Sequence, residues 1–360
     1  MQGAPTLEID LEKLADNSSR VVEKCLAKGI HVIGVTKGFS AIHQIVSAML
    51  AGGIEGFADA RMENIMELRK RNFHSPFTLL RIPRISNVAN VVKYADVSIN
   101  SEISVIRALS AEAQQIGKIH KIILMLDVGD LREGVMREDV MHMVEKISCL
   151  EGIRLIGIGT NMGCFGGVLP SIENLNLLVD VAYEVESHLD YQLEIISGGG
   201  TSTLFLVENN TVPAGINQLR VGEGILLGTD TTNNRNIPWL HHDAFCLKAE
   251  VIEVKDKPSV PIGEIGQDAF GNVPRFVDVG IRKRAILALG KQDVYIEGLF
   301  TLDKNITILG ASSDHIILDV TDSGDKIRVG DEVIFGLTYP GLLSASDSRY
   351  VKKLFKGGNK

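Results

Sequence analysis

Between His31 and Val221 the sequence alternates short apolar runs with longer amphipathic ones, and no other feature limits the possible folds so sharply. Strand-like runs fall at 31–36, 55–59, 77–82, 96–99, 121–127, 153–159, 193–197 and 218–221. Helical patterns such as AIHQIVSAMLAGG, SEISVIRALSAEAQQIG and LPSIENLNLLVDVAYEVESHL lie between them, with apolar residues recurring every three or four positions. A continuously apolar strand needs cover on both faces, and helices connecting parallel strands supply it. Eight such units in about 200 residues predict an α/β fold, a closed (β/α)8 barrel of the TIM type rather than an open sheet.

The texture changes after Gly228. TDTTNNRNIPWLHH is polar, carries a proline and reads as a linker. Beyond it FCLKAEVIEVKDK, KRAILALG, DHIILDVT and DEVIFGLTY are β-branched runs between Gly, Asp and Asn turns, which predict a C-terminal all-β domain. The expected division is a barrel over 1–230 and a β-domain over 231–360, with about the first ten residues free to pack with the latter. The basic tail KKLFKGGNK is expected to fray.

A net charge of −8 argues against nucleic acid or an anionic membrane as the main partner. No apolar run approaches the roughly 18 residues of a membrane span. The start, MQGAPTLEIDLEKL, has neither the basic residues nor the apolar stretch of a signal peptide. Cys25, Cys149, Cys164 and Cys246 are far apart and form no CxxC pair. They read as free thiols of a cytoplasmic protein, with neither a disulfide framework nor a metal site.

In a parallel barrel the chemistry gathers at the C-terminal strand ends. The first of these ends, HVIGVTKG, carries Lys37, where desolvation favours a neutral, nucleophilic amine. Asp59, Arg61 and Glu63 after the second strand read as the capped and solvated start of a helix. The seventh and eighth ends are glycine-rich. ISGGGTSTL contains Ser197, Gly200, Thr201 and Ser202, and LRVGEGILLG contains Gly222. Glycines let backbone N–H groups curl around an anion, hydroxyls add donors, and this is the phosphate position of the fold. A lysine with a phosphate cradle and no Walker motif fits pyridoxal 5′-phosphate, which joins a phosphate to a lysine-reactive aldehyde. Its ring nitrogen needs a charged partner, for which Arg220 and Glu223 are the candidates.

PTLEIDLEKLADN, VTKG, LDVGDLREGV, GTNMGCFGG, SGGGTST, LRVGEG, GQDAFG and GASSDHIILD together resemble the fold-type III pyridoxal-phosphate enzymes of the alanine racemase family. More narrowly, they resemble its clostridial ornithine racemase branch. The resemblance implies an amino-acid racemase, homodimeric, with its sites at the subunit interface and ornithine as first substrate, ahead of lysine or alanine. It makes Lys37 the Schiff-base lysine and one acid–base catalyst. Arg132 would lie near the cofactor's phenolic oxygen and the substrate carboxylate, and Arg220 would face the pyridine nitrogen. Thr201, Ser202 and Gly222 would contact the phosphate, as would Tyr339 in GLTYPGLL. Three departures stand out. No tyrosine follows the lysine in VTKGFSA, Asn161 replaces a histidine beneath the ring, and PIGEIGQDAFG lacks the family's catalytic tyrosine. The second base is therefore open among His315, Asp314 and Cys164, because racemisation needs a proton donor and acceptor on both faces of the substrate carbanion. The same motifs leave two alternatives, a metal-dependent D-threonine aldolase or D-serine dehydratase of this fold, and a non-catalytic carrier of the cofactor.

Overall fold

The computed structural model describes residues 4–357 and separates into two compact units. β1 (Thr6–Asp10) belongs to the second unit and leads straight into α1 (Leu11–Leu26), the first helix of the barrel unit. The barrel strands are β2 (His31–Val35), β3 (Gly56–Asp59), β4 (Phe77–Leu79), β5 (Val97–Asn100), β6 (His120–Met125), β7 (Ile153–Gly159), β8 (Ile195–Ser197) and β9 (Gln218–Val221). They close in sequence order, with β9 pairing β2 at His31–Gln218. Every barrel pairing is parallel. Each predicted run thus overlaps one barrel strand, to within one residue at the ends of β5 and β6.

Helices α2 (His43–Ala51), α3 (Met62–Lys70), α4 (Val88–Tyr94), α5 (Ile103–Gln115), α6 (Val140–Ser148), α7 (Ile172–Leu189), α8 (Leu204–Glu208) and α9 (Glu223–Leu227) follow the strands. β3, β4, β5 and β9 are buried at every position. That is why these runs show no polar alternation. Val97, Ile99, Ile123, Met125 and Ile156 pack together as one cluster across β5, β6 and β7.

The polar stretch after Gly228 is not a free linker. β10 (Thr229–Asp230) pairs with β11 (Arg235–Asn236) as a hairpin. Arg235 is held by both oxygens of Glu208 at 2.8 Å and by Asp230 at 3.1 Å. Ile237 and Leu240 are buried, and Asn17 of α1 bonds the carbonyl and the N–H of His241 at 3.0 and 2.7 Å. These contacts carry the barrel unit to His242, beyond the boundary at 230 expected from the loss of helical periodicity.

The second unit joins Thr6–Asp10 to residues from Asp243 onward. Its strands are β12 (Phe245–Pro258), β13 (Ile281–Leu287), β14 (Leu299–Thr301), β15 (Thr307–Ala311), β16 (Ile316–Asp319), β17 (Glu332–Leu337) and β18 (Lys352–Lys356), with α10 (Tyr339–Asp347) before the last. The order is β14-β17-β12-β13-β16-β15, and β1 lies between β12 and β18. The basic tail is therefore a strand as far as Lys356, paired in parallel with β1, while its last three residues lie outside the described ones. Charge explains the docking. The buried Glu8 of β1 meets Lys248 at 2.9 Å and Lys356 at 2.6 Å, one cation from each flanking strand.

Candidate active site

Lys37 leaves the barrel at the end of β2. The register sets Val35 against Ala58, so the following pair is Thr36 and Asp59. Thr36 is fully buried, gives its N–H to Ala58 O at 2.9 Å, and turns its hydroxyl to the Asp59 carboxylate. The half-buried Lys37 then opens one 3-10 turn, Lys37–Phe39. Ser40 and Ala41 follow with φ of 52° and 51°, a left-handed pair that costs non-glycine residues energy and is characteristic of functional turns.

The two glycine-rich loops after β8 and β9 are joined. Thr201 Oγ1 accepts from Gly224 N at 3.2 Å, and Arg220 N donates to Gly199 O at 2.9 Å. A Cβ on Gly200 would stand 2.9 Å from Arg220 O, and one on Gly222 would stand 3.1 Å from Val35 Cβ. Glycine is thus what lets these backbones approach. Among the described residues the N–H groups of Gly200 and Gly222 make no hydrogen bond within the chain. Ser202, two residues on from Gly200, is buried. Open N–H groups beside buried hydroxyls are a donor set suited to a phosphate.

Arg220 anchors the floor. Its guanidinium donates to Thr160 O at 2.6 Å, to Ser197 Oγ, and to Asn161 Oδ1 at 3.5 Å. Burial lowers its pKa to about 10, against the pull of the Cys164 and Glu133 charges, so it remains a cation at neutral pH. Thr160 Oγ1 beside it is buried with no partner among the described residues. A buried orphan oxygen next to a buried cation is an unmet hydrogen-bonding position that a polar group could satisfy. Ser197 spends its hydroxyl on Arg220, so it acts through that guanidinium.

Glu223 faces elsewhere. Its carboxylate accepts from Thr229 Oγ1 at 2.7 Å and from Thr231 N at 3.1 Å, which fastens the β10–β11 hairpin. Burial raises its pKa against those donors. Of the two candidates for the ring nitrogen, Arg220 alone keeps its charged group among the strand ends.

Arg132 pairs with Glu133, which accepts from Asn161 Nδ2 at 3.1 Å. Arg132, Glu133, Asn161 and Arg220 thus form one polar chain across the ends of β6, β7 and β9. Burial disfavours the Arg132 cation, but Glu133 and Cys164 more than offset this and its pKa is raised. Cys164 is exposed, on a loop pinned by the buried Asp130, whose oxygens accept from Gly163 N at 3.0 Å and Phe165 N at 3.1 Å.

Three expected residues belong to the second unit. Asp314 and His315 are exposed on the turn between β15 and β16, where Ser313 Oγ donates to Asp314. Among the described residues no group of three or more His, Cys, Asp or Glu is placed to hold a metal ion. Tyr339 is half-buried at the start of α10.

Known proteins match this architecture. The sequence profile of the alanine racemase N-terminal domain covers residues 9–230. The chain belongs to the alanine racemase family. It is 44% identical to a lysine racemase of Thermotoga maritima over 98% of both chains. It is 43% identical to an ornithine racemase of Acetoanaerobium sticklandii over 97% of this chain and 99% of the relative. The solved alanine racemase of Clostridium difficile 630 superposes with a TM-score of 0.77 at 19% identity, over 99% of this chain and 96% of that one. At that identity the structure speaks for the fold.

In this member of the alanine racemase family, sequence reasoning missed two carboxylates and the burial of a third. Glu133 bridges Arg132 to Asn161, Asp130 organises the Cys164 loop, and Asp59 is wholly buried where a solvated helix cap was expected. The signal for Glu133 was its place beside Arg132 in LREGV. For Asp59 it was a strand run ending on an acid, in EGFAD.

Proposed function

We propose that this chain is a pyridoxal-phosphate-dependent amino-acid racemase, with ornithine as its first substrate and lysine next. The observation that carries the reading is the convergence, at one end of a closed barrel, of Lys37, the open N–H groups of Gly200 and Gly222, and the buried Arg220 cation. Identities of 43–44% to an ornithine and a lysine racemase over nearly the whole chain support the reaction and the choice of a diamino acid.

Bound pyridoxal phosphate supplies an electron sink for the substrate's α-carbon. The chain supplies the rest. Gly200, Thr201, Ser202 and Gly222 would hold the phosphate by N–H and hydroxyl donors. Arg220, a donor without acceptor capacity, would suit an unprotonated ring nitrogen. Arg132 stands ready for a carboxylate or phenolate oxygen, with Glu133 and Asn161 fixing it. Lys37 Nζ would take the α-proton from one face of one enantiomer and, in the reverse direction, give a proton to that same face. His315, Asp314 and Cys164 remain the candidates for the other face.

A homodimer is part of the proposal. Residues 259–280, between β12 and β13, expose Ile262 at 92%, Val277 at 78%, Val273 at 65% and Val279 at 61%. A run of apolar side chains this open calls for a covering surface, and a second copy of the chain fits that need. A cytoplasmic location agrees with the four free cysteines.

The test is the loss of optical rotation of single L-amino acids with added cofactor, for wild type and Lys37→Ala. Racemisation of ornithine that vanishes in the variant is the expected result. Cofactor bound through Lys37 with no amino acid racemised would overturn the reading.

A further inference from the structure

The starts of α3 and α4 and the end of β4 surround a cavity of about 150 Å³. Four donor side chains line it. Arg61 stands just before α3, Arg81 lies two residues past β4, and Arg84 and Asn87 lead into α4. Among the described residues, neither Arg61 nor Arg81 forms an ion pair through its guanidinium, whereas Arg84 stands 3.9 Å from Glu63. Glu63 is the one acid on the wall, so three arginines against it leave a net charge of +2. Asn87 accepts from Asn90 Nδ2 at 2.6 Å through Oδ1, which leaves its own NH2 group as a donor. A sphere of this volume is about 7 Å across, so the guanidinium groups on its wall repel one another until an anion enters. In the closed strand order β4 stands opposite β8, which sets the cavity apart from the glycine-rich loops.

A positive, donor-rich wall calls for a ligand that only accepts. A cavity of about 150 Å³ admits roughly six heavy atoms, the size of benzene, and a phosphate ion fits within that limit. A carboxylate brings one charge and one planar edge. A phosphate turns three or more oxygens towards donors that arrive from separate elements, and its charge of about −1.5 to −2 at pH 7 matches the wall.

We propose that this cavity is an oxyanion site that takes a phosphate group, as the free ion or as the end of a small phosphomonoester. It is independent of the racemase reading, because none of its residues belongs to the cofactor cradle. Arg61 and Arg81 carry the site through charge-assisted hydrogen bonds, and Glu63 opposes it by repulsion. All three are exposed. Solvent screens such charges, so the dissociation constant should be on the order of 1 mM and should rise with added salt.

The test titrates inorganic phosphate, by isothermal calorimetry at pH 7.5 and low salt, into protein already loaded with pyridoxal phosphate. Loading keeps the glycine-rich loops from competing. One saturable site is expected, weakened at least about tenfold by Arg61→Gln and by Arg81→Gln. Both side chains are exposed, so these variants should fold as wild type does, with an unchanged urea midpoint. Glu63→Gln should tighten binding about threefold, because it removes the opposing charge and releases Arg84. Glycerol 3-phosphate, titrated in parallel, separates the two sources. If it binds as well as inorganic phosphate the ligand is a phosphomonoester, and if it does not the ligand is the free ion. No saturation by either ligand up to about 50 mM overturns the proposal. So does a constant unchanged in both arginine variants, because the ion would then sit elsewhere. Acetate bound as tightly as phosphate would also sink it, since a single carboxylate charge would then suffice.

Discussion

Arg220 of β9 donates a guanidinium N–H to the carbonyl oxygen of Thr160, 2.6 Å away at the end of β7. The same guanidinium reaches Ser197 at the end of β8, which lies between. One buried side chain therefore ties three neighbouring strand ends and fixes a cation among them.

Arg220→Lys keeps the charge and loses the planar fork that bonds both partners. Leaving Ser197 or Thr160 unsatisfied should lower the unfolding free energy by about 1–3 kcal/mol, read as a lower urea midpoint with an unchanged slope. Absorbance of added cofactor should change as well, because the group proposed to face its ring would have moved.

Glu223→Gln separates the two candidates for that ring contact. Its carboxylate serves Thr229 and Thr231, so the variant should loosen the β10–β11 hairpin and speed amide exchange at Thr231. The expected stability loss is about 1 kcal/mol, and the cofactor spectrum should stay as in wild type. A spectral shift equal to that of the Arg220 variant would contradict the assignment.

Gly200→Ala places a Cβ 2.9 Å from Arg220 O, against backbone that cannot rotate away. The loops must part, and pyridoxal phosphate should bind at least about tenfold more weakly, a loss near 1.4 kcal/mol. Gly222→Ala, at 3.1 Å from Val35 Cβ, should act in the same direction with a smaller effect. Fluorescence titration of the cofactor-free protein checks both.

His120 is buried, bonded to Ser98 Oγ at 2.9 Å, and burial lowers its pKa to about 4 from an ordinary 6.5. Between these values the unfolded chain binds a proton that the folded chain refuses. Stability is then fully present above pH 6.5 and is lost as pH falls through 4, by up to about 3 kcal/mol from this group. Urea unfolding across that range should show a steeper decline in wild type than in His120→Asn.

Much of this molecule was legible in its sequence. The eight strand runs were visible because a strand buried on both faces is apolar at every position, a local property. Lys37 and both glycine-rich loops were legible for a related reason. A βα corner must turn within a few residues, and the residues that permit it stand next to one another in the chain.

The partners of the polar groups were not legible in this way. Arg220 meets Thr160 across 60 residues, and Thr36 meets Asp59 across 23. Glu8 is neutralised by Lys356 across 348, which turns an expected loose tail into a strand. Hydrophobic period and turn chemistry report which face of each element is covered, and so the sequence by itself determined the strands and the barrel, and set Lys37 at a strand end. Which titratable group is buried, and which donor reaches it, depends on contacts that exist only once the barrel has closed. Tertiary structure alone therefore decided that Asp59 is buried and bonded to Thr36, that Glu223 serves the hairpin, and that Arg220 ties the ends of β7, β8 and β9.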